Sequence, residues 1–332
     1  MVLKNYRTLS STQSYDGTAS TQTTQIPRDF LVQRILLDFE GVTTLGGTSV
    51  LVTDALLKCV QTIRVKAVGE GSSRVIFEVA GNDLYYMNLF DYGFGTALDN
   101  TDTTAAAHTQ VTGWTIDFRI STLDPDDYSV AIPSYLLSTL ELEIVYDTSA
   151  NGYGTNVTSQ AFTTTITLIE GIPEASEDFS GNPLMTVLSK TLNADSSTGN
   201  QDFDTFFNVG ALIKRSFLCT ETSAGVRSDD EIADYTVKSG QIPLMSNINF
   251  RSNKSKDIQN YRIAELIDGF YNVAGYTCID FSNNRQPFIP TAESLRIDGL
   301  STQGYNVGDL VATFNKNNAS SILRRVQTSV EG

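Results

Sequence analysis

The chain has 332 residues, long enough to bury about 75% of the surface its unfolded form exposes, so it needs no metal or disulfide staple to fold. Its 38 acidic residues outnumber 23 basic ones for a formal charge of −15, which argues against direct binding of a nucleic-acid backbone. Hydrophobic residues at 40%, charged residues at 18% and abundant Ser, Thr, Gly, Asn and Tyr describe a strand-rich globular chain, with no apolar run long enough to span a membrane.

Residues 1–25 are mostly Ser, Thr, Gln, Gly and Tyr without hydrophobic periodicity. They are read as a polar arm that ends where Ile26-Pro27 opens the first apolar run. Lys4 and Arg7 would be its contacts to an anionic lipid surface, at about 1 kcal/mol per cation. No apolar run follows these charges, so a secretion signal is not expected and a cytoplasmic site of synthesis fits.

From residue 30 apolar and polar residues alternate as on a pleated strand, which puts the apolar set on one buried face. Ile63, Val65 and Ala67 alternate with Arg64 and Lys66, and Trp114, Ile116, Phe118 and Ile120 with Thr115, Asp117 and Arg119. Leu140, Leu142 and Ile144 alternate with Glu141 and Glu143, two carboxylates expected on a solvated face. Phe162, Ile166 and Leu168 continue the set among threonines, and Gly69-Glu70-Gly71 reads as a hairpin turn. A Gly-, Pro- and acid-rich stretch makes 173–184 the expected linker, after which strand signals resume at 213–219, 276–281, 310–314 and 322–326.

Helical signals are short. Thr53 and Asp54 are placed to cap a helix carrying Leu56, Leu57 and Val60, and Asn82 and Asp83 one running through Leu84, Tyr85, Met87 and Leu89. A third is expected over 258–268, with Ile263, Leu266 and Ile267 clustered and Gly269 as its stop. Without αβ repeats a parallel sheet is excluded, leaving sandwiches, barrels and jelly rolls. The expected fold is all-β: two tandem jelly-roll sandwiches, 26–172 and 185–332, with a few short helices.

Catalytic and cofactor chemistry finds little purchase. His108 is the single histidine and is expected in a surface loop, so a His-based metal site or nucleophilic triad has at most one possible centre, and no activating neighbour can be named for it. Cys59, Cys219 and Cys278 are far apart and odd in number, and are expected reduced and buried. No phosphate-binding glycine motif is present. Asp124, Asp126 and Asp127 form the densest carboxylate group; calcium between subunits is one reading and ordinary Asp-Pro turn chemistry the preferred one. Three Asn-x-Ser/Thr triplets, at Asn156, Asn253 and Asn318, carry no weight in a Ser/Thr-rich chain.

Residues 26–40, IPRDFLVQRILLDFE, set a proline and a basic residue before a long apolar strand that closes on Gly41. The loop GVTTLGGTS, the helix TDALLKCV, the strands QTIRVKAVG and SRVIFEVAG, and Gly81-Asn82-Asp83-Leu84-Tyr85 follow in order. The C-terminal DLVATFNKNNASSILRRVQTSVEG adds an alternating strand, a polar turn and a basic-apolar strand. This succession resembles the double jelly-roll major capsid proteins of tailless icosahedral bacteriophages, typically with an internal membrane, of the adenovirus, tectivirus and corticovirus type.

The resemblance implies a non-enzymatic virion shell protein without cofactor, catalytic or metal residues. It implies pseudo-hexagonal homotrimers that meet neighbouring capsomers and penton or minor capsid proteins, with an internal lipid membrane or the genome beneath. Segments 91–112 and 220–245 are then expected as loops at an outward crown or between subunits. The alternative is a β-sandwich spike, tail or adhesin module that binds host glycans, which fold alone does not separate from a shell protein.

Overall fold

The computed structural model describes residues 2–69, 72–93, 103–120, 122, 124–174, 177–192, 197–205, 211–239, 241–261, 266–267, 270–271, 273–281, 305–306 and 310–331. The chain divides into two compact units, Met1–Asn88 with Gly95–Gly181, and Leu89–Phe94 with Asn182–Gly332.

In the first unit, strands β1 (Leu3–Thr8), β2 (Gln13–Tyr15), β3 (Ser20–Gln25), β4 (Leu31–Leu45), β5 (Val60–Gly69), β6 (Ser72–Val79), β7 (Ala107–Asp117), β8 (Ile132–Pro133), β9 (Thr139–Tyr146) and β10 (Val157–Ile172) make two antiparallel layers. One runs β1-β10-β4-β7, with β2 beside β10 and β8 beside β4; the other runs β6-β5-β9-β3. With β1 and β2 counted as one strand and β8 set aside, the chain winds through the layers as first-eighth-third-sixth and second-seventh-fourth-fifth, the order of a jelly roll. The layers meet through aromatic contacts: Tyr15 stacks on Tyr146 at 5.1 Å, and Phe77 meets Phe118 edge-on at 6.4 Å.

The stretch read as a polar arm is therefore corrected. It supplies the first two strands of this roll, β1 and β2 pairing with β10 and β3 with β9. Its buried positions include Gln13 and Thr24, joined by a 3.0 Å hydrogen bond from Gln13 Nε2 to Thr24 Oγ1. Polar side chains that satisfy each other can be buried without leaving an apolar period in the sequence. Gly41 likewise does not close its strand, since β4 runs on to Leu45. A Cβ there would lie 2.0 Å from the Ala161 carbonyl oxygen, so the glycine is what lets β10 come close.

In the second unit, β11 (Leu184–Leu192), β12 (Gly199–Thr205), β13 (Leu212–Glu221), β14 (Ile232–Ser239), β15 (Ile242–Asn249), β16 (Leu266–Ile267), β17 (Phe270–Tyr271), β18 (Tyr276–Asp280), β19 (Tyr305–Asn306), β20 (Leu310–Lys316) and β21 (Ile322–Glu331) follow in order. They give the layers β18-β13-β21-β11 and β12-β20-β14-β15, with β19 beside β13 and β16 paired to β17. Setting aside the two-residue strands, the winding repeats that of the first unit. Leu192, Ile213, Leu218, Ile279 and Leu323 of one layer pack on Tyr235, Val237, Ala312 and Phe314 of the other. Each such large side chain contributes about 1.5–3 kcal/mol on burial.

The helices depart from expectation at their ends. Thr53 and Asp54 cap no α-helix: Asp54 and Leu56 have φ of 58° and 69°, and a single 3-10 turn, Leu57–Cys59, follows. Helix α1 (Gly81–Tyr92) starts ahead of Asn82 and Asp83, which lie in its first turn. A short α2 (Ser149–Gly152) precedes β10. The third helix, α3 (Phe250–Tyr261), starts eight residues before the expected 258–268 and shares only 258–261 with it; Leu266 and Ile267 form β16, which pairs with β17, and Ile263 and Gly269 are outside the described residues. Asn249 caps α3, its Oδ1 accepting from Ser252 N at 3.1 Å. β5 and β6 pair up to Gly69 and Ser72, while Glu70 and Gly71 lie outside the described residues.

Candidate functional site

The residues singled out in the sequence do not converge. His108 sits in β7 opposite Thr43 rather than in a loop, half-buried, with Nε2 2.9 Å from the Thr104 carbonyl oxygen. The three cysteines are buried as free thiols; burial pushes Cys59 up to about 12 and Cys278 well above the ordinary range, which keeps both protonated and unreactive. Asp124, Asp126 and Asp127 have separate duties. Asp124 Oδ1 accepts from Asp126 N at 2.9 Å, and Asp126 pairs with Lys4 at 2.8 Å. Buried Asp127 accepts from the backbone of Ile120 at 2.8 Å and Ser129 at 3.0 Å. This is turn chemistry, and among the described residues no group of three or more His, Cys, Asp or Glu is placed to hold a metal ion.

Lys4 and Arg7, read as contacts to lipid, are taken up inside the fold. Arg7 Nη2 meets Glu170 at 2.7 Å and its Nη1 meets Asp29 at 2.6 Å, with Glu170 fully buried. Asn253 itself is buried in α3, where no glycan fits. The segments expected as loops are about half strand where described: 107–112 belongs to β7, and 232–239 and 242–245 to β14 and β15, whereas 103–106 and 222–231 connect strands as expected; 94–102 lies outside the described residues.

What remains are surfaces. The outward side of β6-β5-β9-β3 is an ionic ladder across three strands. Arg64 meets Glu78 at 3.0 Å and Glu143 at 3.0 Å, and Lys66 meets Glu143 at 2.5 Å. Glu143 is thus not simply solvated as expected; the Lys66 ammonium and the Arg64 guanidinium hold its carboxyl below the ordinary 4.5. A depressed carboxylate contributes stability that is present above pH ~4.5 and lost as pH falls through its folded value. Glu143→Gln should therefore lower the unfolding midpoint at pH 7 and leave it unchanged at pH 2, a difference readable by thermal melts at the two pH values.

The outward side of β1-β10-β4-β7 is different. Val42 lies across from Ala161 on one neighbour and Thr109 on the other, and Glu40 across from Thr163 and Val111. Tyr6, Val42 and Val111 on this side are 63%, 40% and 44% exposed, three of the eight large exposed hydrophobics among the described residues; Leu3, three residues before Tyr6 in an unbroken register, faces the other way. In the second unit, by contrast, β13 and β21 are buried on both faces. There Phe90 packs on Phe217 at 5.1 Å, Arg215 pairs with Asp91, and Tyr261 Oη lies 3.3 Å from Cys278 Sγ. An apolar Val42 two residues after outward Glu40 is the one trace of the exposed face in the sequence.

No protein-family model matches the sequence, and no curated protein does. Solved structures do. The major capsid protein of Sulfolobus Turreted Icosahedral Virus is similar with a TM-score of 0.74 at 16% identity, over 99% of this chain and 97% of that one. The major capsid protein P2 of bacteriophage PM2 gives 0.55 at 13%, over 99% and 98%. The PBCV-1 virus capsid protein gives 0.58 at 10%, over 99% and 94%. The fold is the double jelly roll of these proteins, as the strand winding indicates independently.

Proposed function

We propose that the chain is a structural subunit of an icosahedral virion shell and not an enzyme. The observation that carries this is the same jelly-roll winding used twice in one chain, matched from end to end by viral major capsid proteins. Three copies supply six rolls of like winding, which suits a pseudo-hexagonal homotrimer meeting neighbouring capsomers and penton or minor capsid proteins. Closed symmetry of this kind also removes exposed sheet surface. If an internal membrane is enclosed, Lys4 and Arg7 would meet it already paired, Lys4 with Asp126 and Arg7 with Glu170 and Asp29.

The outward face of β1-β10-β4-β7 is the surface we assign to a second copy of the chain. The corresponding sheet of the second unit is already covered, whereas the first unit's leaves Tyr6, Val42 and Val111 exposed beside Asp38 and Glu40. Size-exclusion chromatography with light scattering tests the reading. The wild-type protein should run as a trimer, and Val42→Asp with Val111→Asp should run as a monomer with an unchanged circular dichroism spectrum. A wild-type chain that stays strictly monomeric at high concentration, and that joins no shell with other virion components, would overturn it.

A further inference from the structure

Each jelly roll passes from its fifth long strand to its sixth through a segment containing a helix: α1 between β6 and β7, and α3 between β15 and β18. β7 and β18 end their layers, so one edge of each lacks a neighbouring strand. In both units the helix supplies the missing partner with side chains. Asn88 of α1 does so alone, Nδ2 donating to the Thr115 carbonyl at 2.8 Å and Oδ1 accepting the Thr115 N–H at 2.7 Å. In the second unit the same two backbone groups of Cys278 are divided between two residues of α3. Asn253 Nδ2 donates to the carbonyl at 2.9 Å, and Asp257 Oδ2 accepts the N–H at 2.8 Å. An edge strand is thereby closed without adding a strand.

The two closures differ in one chemical respect: an amide has no titrating group, whereas a carboxylate has one. Asp257 is fully buried, and its Oδ2 already accepts from Thr277 Oγ1 at 2.6 Å as well as from Cys278. Its Oδ1 is buried with no hydrogen-bond partner among the described residues, as is the hydroxyl of Tyr235 on β14. β18 turns Cys278 and Asp280 towards this region, and β15 carries no titratable residue. On α3 itself stand Tyr261, Lys256 and Lys254, the last committed to Asp229 at 2.7 Å. Burial with so little compensating charge pushes the Asp257 carboxyl up from 3.8 to about 6.

We propose that α3 is a proton-operated latch on the edge of β18, held down when Asp257 is protonated on Oδ1 and loosened when it is ionised, while the Asn88 latch on β7 is indifferent to pH. With Asp257 ordinary when the latch is open and raised when it is closed, closing takes up a proton. The opening constant therefore climbs with pH between the two values and levels off above the higher one, a total change on the order of a hundredfold. The device does not depend on what the chain assembles into.

Amide hydrogen exchange on the full chain tests it, with rates corrected for the intrinsic pH dependence of exchange and compared from pH 4.5 to 7.5. Protection at Cys278 should fall by tens of fold or more over this range, while protection at Thr115 stays constant. Asp257→Asn should flatten the Cys278 profile, and Asp280→Asn should leave it sloped. Parallel profiles at Cys278 and Thr115, or an undiminished slope in Asp257→Asn, would overturn the proposal. Should Asp257→Asn fail to fold, carboxyl titration of 13C-aspartate-labelled wild-type protein decides: a midpoint near 6 for Asp257 supports the latch, and an ordinary carboxylate midpoint ends it.

Discussion

Asp91→Asn should lower the unfolding free energy by about 3–5 kcal/mol, the cost of leaving a buried charge without its partner. Arg215 and Asp91 are 8% and 7% exposed, and face each other through two parallel hydrogen bonds, Nη2 to Oδ2 at 2.7 Å and Nη1 to Oδ1. The guanidinium also lies 4.6 Å from the centre of the Phe217 ring. Burial works against the Arg215 charge, but the Asp91 carboxylate more than offsets it and raises its pKa above the ordinary 12.5. Replacing the carboxylate with an amide keeps the shape and removes that offset. Urea unfolding followed by circular dichroism, with hydrogen exchange in β13 to locate the loss, measures the effect. Asp91→Leu with Arg215→Met should recover most of the stability, since a packed apolar pair avoids the desolvation altogether. A loss below about 1 kcal/mol in Asp91→Asn would mean that water already reaches the guanidinium.

The strands that could be read from the sequence are those with one apolar and one polar face. Ile63, Val65, Leu140, Leu142, Ile144, Trp114 and Ile116 all alternate, and all are buried. Where both faces are buried, or where the buried side chains are polar, alternation fails as a guide. Gln13 and Thr24 hid β2 and β3 because they are polar yet buried, Gln13 donating to Thr24 inside the fold. α3 was misplaced because its sequence, FRSNKSKDIQNY, fills the buried positions between Phe250 and Tyr261 at its ends with polar Asn253 and Asp257. Those residues grip a strand edge, so no apolar stripe marks the helix. Such pairings join positions 21 to 27 residues apart, as in Asp257 with Cys278 and Asn88 with Thr115, and no local periodicity reports them. The ion pairs of Glu143 are hidden for the same reason, since its partners Arg64 and Lys66 come from a distant strand.

Deleting residues 1–25 should abolish cooperative folding of the first unit, where a dispensable arm would come away without loss. The deletion strips β1 and β2 from one edge of β10 and β3 from one edge of β9, leaving each of these long strands paired on one side only, β10 with β4 and β9 with β5. It removes Tyr15, whose ring stacks between Tyr146 at 5.1 Å and Phe162 at 5.9 Å, a core loss of about 3–5 kcal/mol. It also removes Arg7, the ion-pair partner of Glu170; in the intact chain, where β1 lies beside Glu170 and keeps it buried, losing that partner alone would cost about 3–5 kcal/mol. The core loss and the two vacated strand edges together rival the total stability of about 5–15 kcal/mol that a domain commands. Arg7→Met isolates the loss of the ion pair in an otherwise complete chain and should by itself lower the melting temperature by several degrees. Differential scanning calorimetry distinguishes the outcomes. A soluble truncated chain that melts with the same midpoint and enthalpy as the intact protein would return residues 1–25 to the status of an arm. Loss of the first unit's transition would make them the opening turn of its jelly roll.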